Sequence, residues 1–463
     1  MEKLIIISNR LPYNINFDGV IEGRNIGGLA TGIKSYLDLL EDDKTVFTSY
    51  KWVGWCGITN GKDSAPKKFK EGENILPVFL SKALVKGFYT RYCNQLLWPY
   101  FHDLPQYSTN TFEDWTTYLE VNLLFFEKVK PLLKKGTTIW IHDYHFMLLP
   151  RMIKQYCKEI KIVFFLHIPF PTNNVFKEIP KVQRHEILNG LDGANVIGFH
   201  TESYVKNFKK VLQEEDIENL SDTISSKLKI FPMGLDFDKY QSINNTIKTP
   251  KSESLKTIIS IDRLDYTKGI LQKIDAYIFF IRHYPYWKQR IQLVLNVAPS
   301  RINISQYHKL KMAIERKVLS MNETYGLPEW QPIIYSFIKL DEQQMIQLYR
   351  KGDVCLVTPI VDGLNLIAKE FLASNSKGVL ILSDNAGVAS ELKEAIQVNP
   401  LDIQQVSKCL LKALLLSPKE ICEMNKKLRT SIKENDIRNW AEKQFASLRE
   451  QDFILGNTKI DKN

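Results

Sequence analysis

Short apolar runs alternate with longer stretches of helical periodicity along almost the whole chain. The runs predict strands at 4–8, 138–142, 162–167, 196–200 and 229–232, and a second series at 257–262, 291–297, 332–337, 354–358 and 378–383. Most are unbroken Val/Ile/Leu/Phe sequences rather than alternating ones, the pattern of parallel strands covered on both faces. Helical patterns fill the gaps, among them 29–40, 112–133 and 343–351. Such repetition predicts the α/β class, with doubly wound parallel sheets and helices on both faces.

The repetition breaks at 233–250, MGLDFDKYQSINNTIKTP, which is polar, aperiodic and closed by a proline. That composition suits a domain junction. At 463 residues the chain also exceeds one ordinary core. Two Rossmann-like domains are therefore expected, 1–235 and 236–438, with 439–463 forming a C-terminal helix and polar tail. Trp440, Phe445 and Leu448 fall near one face of that helix, which is expected to cross back to the first domain.

Composition narrows the class. Hydrophobic residues make up 44% and charged residues 25%, an ordinary globular balance. The longest apolar runs, such as 162–171, fall far short of the roughly 20 residues that cross a bilayer. Only four apolar residues follow Met1-Glu2-Lys3, too few for a secretory core, so a cytoplasmic location is expected. The six cysteines form no C-x-x-C pair, which argues for reduced thiols over disulfides or a zinc knuckle. A net charge of +10 is spread along the chain among 52 acidic residues, with no basic arm or aromatic-basic motif. Nucleic acid and membranes are accordingly not expected as partners, while a homo-oligomer is left open.

Open α/β sheets bind ligands at the carboxyl ends of their strands. The first strand is followed by Ser8-Asn9-Arg10-Leu11-Pro12, and Gly27-Gly28 then opens a helix. Glycines there let a diphosphate approach backbone N–H groups, although a packing turn reads equally well. The absence of G-x-G-x-x-G speaks against a nicotinamide dinucleotide. The second strand ends in His142, Asp143 and His145, and the third in His167. His142 and His145 have a metal-pair spacing, but no Cys or Glu ligand is near in sequence, so no metal is expected. Asp143 and His167 suit hydrogen bonds to sugar hydroxyls.

In the second domain Arg263 and Lys268 flank a turn that leads into a helix, where two cations would neutralise a pyrophosphate. Asp262-x-x-Asp265 has a spacing that suggests a divalent metal, but the intervening cation and the strand position speak against one. Arg301 supplies another cation after the next strand. The segment Asp362-Gly363-Leu364-Asn365-Leu366 precedes a helix that carries Glu370 one turn on. It reads as a carbohydrate-plus-ribose clamp, or as a capping box with a surface glutamate.

Taken together, SNRLP, WVGWCG, YCNQLLWPYFH, WIHDYHFMLLP, FFLHIPFP, DRLDYTKG, VAPSR, DGLNLIAKE and LILSDNAG make the chain resemble the trehalose-6-phosphate synthase family over about residues 4–450. The resemblance implies a GT-B fold, with two Rossmann-like domains facing a central cleft. It also implies cofactor-free, metal-independent transfer of glucose, with retention, from UDP-glucose to glucose 6-phosphate. By the same resemblance Arg10, Tyr89, Asp143 and Arg301 would hold glucose 6-phosphate, and Trp98 and Ile168 would shape its pocket. Gly27, Gly28, Arg263 and Lys268 would bind the donor diphosphate. Asp362, Gly363, Leu364, Asn365 and Leu366 would hold the transferred glucose, Glu370 the ribose and Leu340 the base, while His167 would touch the glucose near its 6-hydroxyl. Arg263, Lys268, Asp143, His167 and Asp362 are the implied catalytic set.

The chain departs from the family pattern at Leu364, where Met is usual, at Asn174, where Glu is common, and at Cys56, where Pro or Ser is usual. Two other readings stand beside this one. The acceptor could be glycerol 3-phosphate, as in a glucosylglycerol-phosphate synthase. Alternatively the chain could be a catalytically silent sugar-nucleotide-binding regulatory subunit, although Arg263, Lys268, Asp362 and Glu370 are all present.

Overall fold

The computed structural model describes residues 3–15, 21–24, 28–42, 47–60, 74–109, 112–215, 217, 220–244 and 255–460. Gly27, residues 245–250 of the expected junction and the last three residues of the tail lie outside them. The chain forms two compact units, Met1–Met233 with Ile437–Asn463, and Gly234–Asp436.

The first unit contains β1 (Lys3–Arg10), β2 (Tyr13–Ile15), β3 (Ile21–Arg24), β4 (Ser49–Asn60), β5 (Ile75–Ser81), β6 (Thr137–His142), β7 (Lys161–Phe165), β8 (Val196–Phe199) and β9 (Leu228–Ile230). Seven of these make one parallel sheet in the order β5-β4-β1-β6-β7-β8-β9, while β2 and β3 pair as a separate antiparallel hairpin. Strands β1 and β6 to β9 fall where the apolar runs predict them. The pattern misses β4, which is interrupted by Gly54 and Gly57, and β5, which is interrupted by Pro77. Gly54 is required by close approach: a Cβ there would lie 2.9 Å from the Leu11 nitrogen. Pairing with β1 on one side and β5 on the other holds β4 in place despite its glycines.

Strand order reverses between β1 and β6, and ligands of open α/β sheets bind at such a switch point. The register Ile7↔Ile141↔Phe164 aligns the carboxyl ends of β1, β6 and β7. Arg10, Asp143 and His167 therefore emerge along one edge of the sheet.

A terminal helix, Ile437–Ile460, completes this unit. Trp440 donates its indole N–H to the Phe231 carbonyl (3.1 Å), and the Trp140 indole donates to Gln444 Oε1 (3.0 Å). Phe445 packs edge-on against Phe47 and Trp140, with centroids 4.9 and 5.1 Å away.

The second unit contains β10 (Lys256–Arg263), β11 (Ile291–Ala298), β12 (Ile333–Ser336), β13 (Val354–Val357), β14 (Val379–Ser383) and β15 (Ile396–Val398). They form a parallel sheet in the order β12-β11-β10-β13-β14-β15, with its own reversal between β10 and β13. Only β15 escapes the sequence pattern, being three residues long with a polar centre. The end of β10, which carries Arg263, and the loops leaving β10 and β13, which carry Lys268 and residues 362–365, flank the switch point.

Candidate active site

Each unit builds a cluster of polar side chains at its own switch point. In the first, Arg10 leaves β1 half-buried and lays its guanidinium 4.5 Å from the centroid of Trp55. Its Nη2 donates to Asn14 Oδ1 at 2.7 Å. Gly57, with φ of 90°, clears the space, since a Cβ there would come within 2.3 Å of Nη2. Desolvation by burial pulls the Arg10 pKa down, opposed by Tyr89 and Cys56. The Tyr89 ring packs 5.7 Å from Trp55 and stacks on His145 at 6.2 Å. A cation, a phenol and aromatic faces thus share one wall.

Asp143 follows β6 in a left-handed conformation (φ 77°), a strained geometry for a non-glycine residue. Its Oδ1 accepts the backbone N–H of His167 at 3.2 Å. The His167 ring meets His142, Nε2 to Nδ1, at 3.0 Å, with His200 further along (centroids 5.4 Å). Burial holds the His167 pKa well below its ordinary value, with His142 and His200 adding to the effect. Trp98 and Ile168 are both buried, and the Trp98 ring packs 4.2 Å from that of His102. Asn174 is exposed on the first-unit surface, and Cys56 is fully buried.

In the second unit Arg263 stands exposed at the end of β10. Lys268 is buried, and its ammonium is bound to Asp362 Oδ2. The same oxygen accepts from Asn365 Nδ2 at 2.9 Å. Asn365 has φ of 81°, and its Oδ1 is buried with no partner among the described residues. Backbone bonds latch the loop from both sides. Asp362 N–H donates to Asn385 O (3.3 Å) and Val388 N–H to Leu364 O (3.0 Å), while Ile360 N–H donates to Thr267 O (2.7 Å). The capping-box alternative does not hold here: Asn365 makes no side-chain cap bond. Nor is Glu370 a surface acid, because its Oε2 accepts from Tyr349 OH at 2.6 Å, and burial pushes its carboxyl pKa up.

Arg301 donates to Asp265 Oδ2 (3.2 Å) and to Tyr307 OH (2.8 Å). Beneath Arg263, Asp262 accepts from Lys273 Nζ (2.6 Å) and Ser260 Oγ (2.7 Å), so its charge is consumed by a buried ion pair. Leu340 is half-buried after β12, and Gly28 begins the helix Gly28–Asp42. Trp55, His200, Tyr307 and Tyr349 were not singled out from sequence, and Asp265 only through its spacing from Asp262. Of the first four, Trp55 and His200 carry a legible signal, inside a family motif or at the end of a predicted strand.

Two parallel-sheet Rossmann-like units with charged loops at their switch points define a GT-B glycosyltransferase fold. The model of glycosyltransferase family 20 matches residues 2–450, and the chain belongs to that family. It is 36% identical over 456 residues to a bifunctional trehalose-6-phosphate synthase/phosphatase of Thermoproteus tenax, covering 95% of this chain and 62% of that one. To an alpha,alpha-trehalose-phosphate synthase [UDP-forming] of Yarrowia lipolytica it is 31% identical over 477 residues, covering 97% and 100%. A solved UDP-forming synthase from Burkholderia xenovorans in complex with glucose-6-phosphate matches with a TM-score of 0.85 at 26% identity, covering 96% and 100%. The chain thus spans under two thirds of the bifunctional relative and the whole of the fungal one. Among the described residues no helix is long and apolar enough to cross a membrane.

Proposed function

We propose that the protein is a retaining glucosyltransferase that moves glucose from UDP-glucose to glucose 6-phosphate, giving alpha,alpha-trehalose 6-phosphate and UDP. The observation that carries this reading is the second unit's switch point, where Asp362 of the loop 362–365 pairs with Lys268 and Arg263 stands exposed at the end of β10. The relatives named above support the choice of substrates.

In this reading Arg263 and Lys268 take the charge that grows on the departing diphosphate as the glucose C1–O bond breaks. Preorganised charges of this kind supply much of the catalysis in such transfers. The acceptor hydroxyl oxygen bonds to C1 on the same face, and its proton passes to a diphosphate oxygen, so neither a protein nucleophile nor a metal is required. Asp362 and the 363–366 backbone hold the glucose, with His167 near its 6-hydroxyl. Glu370 takes the ribose, and Leu340 contacts the base through its backbone. Arg10, Tyr89, Asp143 and Arg301 receive glucose 6-phosphate, with Trp98 and Ile168 shaping the pocket; Gly27 and Gly28 approach the diphosphate. In this reading the reaction runs in the cytoplasm, a reducing compartment that suits six cysteines scattered without paired spacing.

The test is incubation of purified protein with UDP-, ADP- or GDP-glucose, each with glucose 6-phosphate or glycerol 3-phosphate, and NMR of the product linkage. The expected product is an α,α-linked disaccharide phosphate from UDP-glucose and glucose 6-phosphate. Nucleotide release only with glycerol 3-phosphate, or with neither acceptor, refutes the reading.

A further inference from the structure

We propose that His142 is a positioning residue: through its Nδ1–H it fixes the tautomer of His167, so that His167 turns a neutral N–H donor at Nδ1 toward the 6-hydroxyl of the transferred glucose. The inference rests on the proposed glucosyl transfer and assigns a task to a residue that this reaction otherwise leaves unused.

The geometry allows two arrangements of the bond between His142 Nδ1 and His167 Nε2. A neutral imidazole carries one proton, so one ring must donate and the other accept. If His167 Nε2 donated, the proton of His142 would sit on its own Nε2. That atom is fully buried and has no hydrogen-bond partner among the described residues. The His142 ring packs against the rings of Trp140 and Trp440, with centroids 4.5 and 6.3 Å away. A buried N–H with no acceptor carries the full desolvation cost of the donor.

In the opposite arrangement His142 Nδ1–H donates to His167 Nε2, and no donor is stranded. The His167 proton then resides on Nδ1, which makes no hydrogen bond to the described residues, and the His167 side chain is half-buried rather than sealed. Its backbone N–H is already taken by Asp143 Oδ1, which fixes the position of the residue along the sheet edge. His200 accepts the Met233 N–H through its Nδ1 (3.4 Å). Burial keeps both members of the pair in the neutral form, so the chain of donors runs in one direction, from His142 to His167 to the ligand.

Two measurements decide the matter. Long-range proton–nitrogen correlation spectra of histidine-labelled protein, with His167 assigned by substitution, should show its Nδ1 protonated and its Nε2 bare. A protonated Nε2 on His167 overturns the proposal, whatever any variant does. Kinetically, the wild type should lose about 3- to 10-fold in kcat/KM when UDP-6-deoxyglucose replaces UDP-glucose, the range of one hydrogen bond. His142→Leu should show that same loss with UDP-glucose and little further loss with the 6-deoxy donor. His142→Asn, which returns an amide N–H near the place of Nδ1, should recover most of it. A loss in His142→Leu that is equal for both donors marks a merely structural role and overturns the proposal. A wild type that transfers glucose but is indifferent to the 6-hydroxyl also overturns it while leaving the transfer reading intact. Absence of transfer from any donor sinks the transfer reading, and the spectrum still judges His142.

Discussion

Arg263 and Lys268 lie five residues apart, yet the structure treats their charges differently. Arg263 is exposed at the end of its strand, whereas Lys268 is buried against Asp362. Arg263→Ala should therefore lower turnover roughly 10²-fold, the effect of losing one charge-stabilising donor, with a smaller change in urea unfolding than a substitution of the buried Lys268. Lys268→Ala should lower turnover at least as far and also cost stability, because the largely buried Asp362 carboxylate loses the ammonium bound to it. Steady-state rates beside denaturation curves separate the two effects. His142 adds a pH dependence. Burial pushes its pKa from 6.5 down to about 3. Below the ordinary value the unfolded chain takes up a proton that the folded state refuses, so stability falls as the solution is acidified toward that depressed value. His142→Asn should reduce this fall by about 1 kcal/mol between about pH 6 and about pH 5. Urea titrations at the two pH values give the difference, and the similarly depressed His167 remains to supply part of the slope.

At the scale of elements, strands covered on both faces announced themselves as apolar runs, and the residues just beyond them made up most of the candidate chemistry. What stayed hidden has physical reasons. Strand β4 owes its place to two neighbours rather than to its own glycine-broken sequence. The partners of Arg301 and Glu370 were invisible because Asp265 and Tyr349 lie 36 and 21 positions away and meet them only through sheet register and helix packing. The pair Asp262 and Asp265 reads from spacing as an acidic couple, but each carboxylate is already taken by a different cation. The turn between them and the next helix depends on Gly269, which has φ of 63° and would place a Cβ 2.6 Å from the Thr358 carbonyl oxygen. Gly269→Ala adds left-handed strain of about 1–2 kcal/mol and also forces the turn away from Thr358. Denaturation should report a loss at least that large, together with a raised KM for the nucleotide sugar, since the displaced turn carries Lys268.

Over the whole molecule, the chain leaves the first unit at Met233 and rejoins it at Ile437, with the second unit made from the intervening segment. The rejoining helix brings Trp440 into contact with Trp140 (centroids 5.1 Å) and Phe165 (5.3 Å), and its indole caps the Phe231 carbonyl. Trp440→Ala should destabilise the first unit by about 3–5 kcal/mol, the usual cost of emptying a buried tryptophan site. Calorimetry should show this as a lowered transition for that unit.

The same arrangement sets the order of events on the ribosome. The seven-stranded sheet is translated first, yet Tyr36, Phe47 and Trp140 must wait for Phe445, which emerges some two hundred residues after Met233. The segment translated in the middle can close its own core before the older part finishes. A nascent chain halted short of Ile437 would thus expose an aromatic socket, which makes synthesis of that helix the point at which chaperones and proteases compete for the chain.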